Sequence, residues 1–141
     1  MSTTQIIISA LGLLGLGGLL KSILDFFVED RKRKSESKHV LKEERYKAII
    51  LLCYALINYD KEKENLKIRR HNIKTKDDLF EEVYLEWVNM PLYASDSIIK
   101  TTKMFLENYN QQTFSKAVIA MRKDLYNIRT HLSESDLTIR N

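Results

Sequence analysis

The chain has 141 residues, 44% of them apolar, with 23 Lys and Arg against 19 Asp and Glu for a formal charge of +4. That length permits one compact domain. One proline, one cysteine and four glycines argue against a disulfide-stapled module, a proline-rich linker and a turn-dense β-sandwich, so the expected class is all-α.

All four glycines, Gly12, Gly15, Gly17 and Gly18, fall in the first 18 residues. From Ile6 to Val28 the chain reads IIISALGLLGLGGLLKSILDFFV, with Lys21 and Asp25 as the only charges. At about 1.5 Å per residue such a helix reaches roughly 34 Å, against about 30 Å of bilayer hydrocarbon. Lys21 then snorkels to the interface. MSTTQ lacks the basic start of a signal peptide and FFVEDRKRK offers no small-residue cleavage site, so residues 1–28 read as an uncleaved transmembrane helix. The alternative is an amphipathic or buried helix in a soluble oligomer.

Gly12, Gly15 and Gly18 recur every three positions with Gly17 between them, which strips side chains from part of a helix surface and lets neighbouring helices approach closely. The expected partners are thus copies of the same chain and the lipid bilayer. General tolerance of glycine in membrane helices is the competing explanation. In a ring of copies the lumen would be mainly apolar, with Gln5 and Ser9 as its few polar candidates.

Residues 29–45 form a charged juxtamembrane helix opened by Arg31, Lys32, Arg33 and Lys34. By the positive-inside rule this collar puts the N-terminus outside a bacterial inner membrane and the bulk of the chain in the cytoplasm. The lone Cys53 agrees with a reducing compartment. An ordinary stop-transfer flank explains the collar; contact with anionic headgroups or nucleic acid is the functional alternative.

Residues 46–141 are expected to fold as a small antiparallel helical bundle of about four helices. Tyr46–Ile57 is apolar on nearly every face and reads as its central buried helix, with Cys53 packed in the core; a second membrane crossing is the lesser alternative, since twelve residues are short for a bilayer. Residues 60–74 read as a solvated connection whose Lys67, Arg69, Arg70, His71 and Lys74 could meet phosphate. At Thr75 the sequence TKDD predicts a capped helix carrying Leu79, Phe80, Val83, Tyr84, Trp87 and Val88, broken after Met90 by Pro91. Trp87 reads as a core residue rather than a ligand-stacking one. A helix over Asp96–Tyr109 and a last one capped by Thr113 follow, the latter turning Phe114, Ala117, Val118, Met121, Leu125 and Ile128 inward. SESD after His131 predicts one more cap.

Chemistry is sparse. There is no glycine-rich phosphate loop, no cysteine pair and no HExxH, so no metal or cofactor is expected. The specialised stretch is MRKDLYNIRTHLSESDL, from Met121 to Leu137. Helical bundles of the HEPN type cut RNA with an Arg, four to six intervening residues and a His. Here four residues separate Arg122 from Asn127, and eight separate it from His131. Asparagine exchanges no proton near neutral pH, which weakens a general acid or base role there. The alternative is a structural network of Arg122 with Asp124 or a Glu.

An uncleaved apolar helix, a basic collar and a small helical domain ending in a degenerate Arg-to-His motif together resemble the membrane accessory protein of type VI-B CRISPR systems. The resemblance implies a HEPN-like, homo-oligomeric, ring-shaped membrane pore without cofactors. It also implies work beside an RNA-guided nuclease or RNA in antiphage defence. Two other readings stay open: a membrane-tethered HEPN-like ribonuclease using Arg122 and His131, and a non-catalytic adaptor.

Overall fold

A computed structural model describes the backbone of residues 3–138 and the side chains of residues 21–138. Among the described residues the chain is all helical. It comprises α1 (Thr3–Ile57), α2 (Tyr59–Arg69), α3 (Lys76–Asn89), α4 (Asp96–Glu107) and α5 (Gln111–Tyr126), with 3-10 turns at Met90–Leu92 and Glu134–Leu137. It divides into two units, Met1–Val40 and Leu41–Asn141.

In the first unit, α1 runs through the charged stretch because no Gly or Pro interrupts it after Gly18. Glu29–Arg33 at 3.8 Å and Asp30–Lys34 at 2.7 Å are i,i+4 pairs on its surface, worth a few tenths of a kcal/mol each. Among the described residues no helix is long and apolar enough to cross a membrane. The expected anchor falls mostly on residues whose side chains lie outside that description. Gln5, Ser9, Gly12, Gly15, Gly17 and Gly18 belong to the backbone of α1, and their surroundings also lie outside the described residues.

The second unit is built around the end of α1. Tyr46, Ile49, Cys53 and Leu56 recur at three- and four-residue spacing and are buried together with Leu52 and Ala55. They meet Leu79 and Val83 of α3, Ile98 and Phe105 of α4, and Phe114 and Met121 of α5. Each such side chain contributes about 1.5–3 kcal/mol through removal from water. Tyr46–Ile57 is not a separate helix buried all round. It ends a 55-residue helix, and Leu51 and Tyr54 stay exposed, the Tyr54 ring lying 6.4 Å from that of Phe114 at the edge of the core.

Residues 60–74 also differ from expectation. Most of them form α2, which has no buried residue, so the sequence lacked the apolar stripe by which a helix is recognised. Arg70 ends α2 with its N–H bonded to the Leu66 carbonyl.

The caps explain where the later helices start. Thr75 Oγ1 accepts from the Asp78 N–H at 3.1 Å while Asp78 Oδ2 accepts from the Thr75 N–H at 2.9 Å, the capping box expected at TKDD. Met90–Leu92 then tightens into a 3-10 turn around Pro91. At α5 the cap is Asn110 rather than Thr113. Asn110 Oδ1 accepts from the Thr113 N–H at 3.0 Å, and Thr113 reciprocates from the third helical position. Ser133 and Asp136 form the capping box of the last turn.

Candidate functional site

Besides the basic cluster around α2, where Lys67 pairs with Glu64 and Arg70 with Glu82, the sequence offers three groups of residues: the glycine face, the basic collar and the Arg122–His131 stretch. Only the last two carry described side chains. Around the collar, Ile23, Leu24, Phe26, Phe27 and Val28 are 50–68% exposed. At 100° per residue they cover an arc of about 200° around the helix. Arg31 follows on the same surface and borders a shallow hollow with Leu24, Phe27 and Val28. Arg31, Lys32, Arg33 and Lys34 are all exposed. The result is an exposed apolar belt followed, after Glu29 and Asp30, by four cations, of which Arg33 and Lys34 pair with those two acids.

The Arg122–His131 stretch is not one helical surface. α5 ends at Tyr126, and Asn127 takes the left-handed conformation, φ 49° and ψ 38°. Asn tolerates that region better than most residues and commonly stops helices there. Asn127 is therefore a helix terminator. Arg129 and His131 lie beyond it in non-helical chain, and Ile128, expected inside, is 41% exposed. Arg122 is exposed on α5, beside an apolar groove of about 240 Å³ shared with Ile50, Val118, Leu125 and Leu137.

Asp124 is not held by Arg122. Its Oδ2 accepts from the Tyr46 hydroxyl at 2.6 Å and from Lys42 Nζ at 2.9 Å. Burial alone would raise its carboxyl, but the hydrogen bonds from Tyr46, Lys42 and Ser95 and the Lys42 charge hold it below the ordinary carboxylate value. Tyr46 responds oppositely, its phenol pushed far up by burial and by the bonded carboxylate. Beside this network Arg45 bonds Glu86 at 3.3 Å, and the Tyr93 ring centroid lies 6.2 Å from that of Tyr46. Burial and the Glu86 charge push the Tyr93 phenol up to about 12.

Asp124 also lines an open cavity of about 870 Å³ between α4, α5 and the chain after His131. Ser95, Ser97, Lys116, Lys123 and Ser133 share its wall, and Lys116 pairs with Glu134 at 3.7 Å. The acids and lysines there balance, so the cavity has no strong preference for either charge. Trp87 is half-buried with its Nε1–H donated to the Ile99 carbonyl at 3.0 Å, a packing role. Burial pushes the Cys53 thiol up to about 12 and makes it a poor nucleophile. Among the described residues no group of His, Cys, Asp and Glu could hold a metal ion.

No family model, no curated protein and no solved structure matches the chain. Its function must be argued from its own residues.

Proposed function

We propose that the chain is anchored in a bilayer by residues 6–28, carries its helical bundle on the cytoplasmic side, and assembles with copies of itself to permeabilise or depolarise the membrane. The carrying observation is the belt of Ile23, Leu24, Phe26, Phe27 and Val28, each at least half exposed, followed after Glu29 and Asp30 by four exposed cations. An apolar arc this wide is costly in water and favourable in hydrocarbon, and the cations suit the cytoplasmic headgroup layer. Gly12, Gly15 and Gly18 support close packing of neighbouring anchors. Following the resemblance, the setting is antiphage defence and the partner an RNA-guided nuclease. In this reading the bundle is HEPN-like. No observation favours the ribonuclease alternative, since Asn127 serves to end α5.

The test is the native mass of the detergent-purified full-length chain, beside dye leakage from vesicles containing it. A closed ring of several subunits with leakage supports the proposal, and Gly15→Leu with Gly18→Leu should break the ring while the bundle stays folded. A monomer or dimer provides too few helices to enclose a lumen and refutes it.

A further inference from the structure

Arg122 has no task in the function proposed above, and its surroundings suggest one. Val118, Arg122 and Leu125 stand four and three residues apart on one side of α5. Glu43, Lys47 and Ile50 follow the same spacing on α1. The two rows line the groove of about 240 Å³, which Leu132 and Leu137 of the chain beyond α5 also border. Ile50, Val118 and Leu125 are only partly buried and Leu132 is 38% exposed, so the three segments leave an apolar space between them. The polar groups at this space are not equally committed. Glu43 and Lys47 answer each other at 2.6 Å, and the Tyr46 hydroxyl is donated to Asp124 at 2.6 Å. Arg122 alone of these makes no ion pair or hydrogen bond among the described residues.

We infer that this groove binds a free medium-chain fatty acid, its hydrocarbon lying along Ile50, Val118, Leu125, Leu132 and Leu137 and its carboxylate on the Arg122 guanidinium. Apolar walls favour hydrocarbon over water, and the guanidinium presents a planar fork of N–H donors that matches a carboxylate. A neutral hydrocarbon would leave that fork unused, and a small anion would leave the walls wet. Glu43 does not oppose the carboxylate, because Lys47 neutralises it. Size selects the chain. A methylene needs about the space of a water molecule, about 30 Å³ in the liquid, so the groove suits one chain of roughly eight carbons rather than the two chains of a phospholipid. The site lies wholly within the unit Leu41–Asn141 and does not depend on self-assembly.

The test uses the full-length chain in lipid nanodiscs and an octanoate that carries a photoreactive diazirine. Irradiation should label the peptides holding Val118–Leu125 and Leu132–Leu137, and plain octanoate should suppress that labelling. Butanoate, four methylenes shorter, should compete at least about a hundredfold less well. Octanol, which lacks the carboxylate, should compete about fivefold less well. Arg122→Gln should weaken labelling by the same factor with the helical circular dichroism signal unchanged, and Val118→Trp, which fills the groove, should abolish it. If Val118→Trp loses helicity, Arg122→Gln at its exposed position decides alone. Absence of label from these peptides, with a bilayer lipid or another segment of the chain holding the groove, would overturn the inference. So would octanol competing as well as octanoate, or an Arg122→Gln chain labelled like the wild type. The native mass tests self-assembly separately, so failure of one reading is distinguishable from failure of the other.

Discussion

Replacing Asp124 by Ala removes the one acceptor of a hydroxyl on Tyr46, a residue only 2% exposed. The lost bond is charge-assisted and short at 2.6 Å, a class worth about 1.5–3 kcal/mol, and the phenol left unpaired adds a desolvation cost of the same order as part of that figure. Lys42 adds little, because at 28% exposure its ammonium can turn to water. The expected loss is about 2–3 kcal/mol, which lowers the melting temperature by roughly 8–20 °C for a domain of this size. Tyr46→Phe should cost less, about 1 kcal/mol, since Asp124 keeps its other donors. In the Asp124→Ala background that second change should cost nearly nothing, giving a coupling of at least about 0.5 kcal/mol. Urea unfolding of the purified chain, followed through Trp87 fluorescence, measures all four forms. The pH dependence has a fixed sign. Because the folded carboxyl lies below its ordinary value of 3.8, its stabilisation is complete above that value and disappears as pH falls through the lower folded one. The difference between wild type and Asp124→Ala should therefore be flat from neutral pH to about 4 and shrink below it. A loss under about 0.5 kcal/mol, the range of ordinary surface changes, or strictly additive effects would refute the network.

Thr75→Ala removes the hydroxyl that accepts from the Asp78 N–H and should destabilise the bundle by about 1 kcal/mol in the same unfolding assay. Cys53, 3% exposed with its thiol pushed up to about 12, should resist a thiol reagent at neutral pH in the folded chain and react promptly in denaturant. Fast labelling of the native protein would contradict its place in the core. Replacing Arg31, Lys32, Arg33 and Lys34 with Gln removes the charge bias that orients the proposed anchor, so a C-terminal reporter active only in the cytoplasm should lose signal. An unchanged signal would mean that the collar does not set topology.

Much of the fold was legible because its signals are local. The TKDD cap, the inward Leu79 and Val83 that follow it and the break at Pro91 each depend on residues within a turn or two of one another, and each occupies the expected place. α2 was not legible for a related reason. Helical pattern reading finds a helix by the face it buries, and Tyr59–Arg69 has no fully buried residue, only Tyr59 and Leu66 partly packed against the core. The α5 cap was misplaced by three residues because Asn110 and Thr113 each bond the other's backbone, and both are residue types that open helices.

The site was harder to read because its bonds are not local. Lys42 and Tyr46 reach Asp124 across 82 and 78 residues, and no spacing rule joins positions so far apart. Part of the answer was nevertheless present. Lys42 and Tyr46 are four residues apart and share one side of α1, leading into the buried run, while Asp124 sits between the inward Met121 and Leu125. A carboxylate so close to a core stripe requires a donor. Arg122 could not supply it from within α5, since residues two apart on a helix point about 160° away from each other. The helix geometry that excludes the local partner thus points to a distant one. Asn127 is a parallel case. An Asn at the end of an apolar stripe is a helix-stop signal, and reading it that way predicts that the chain leaves the helix before His131, so that Arg122 and His131 do not share a helical face.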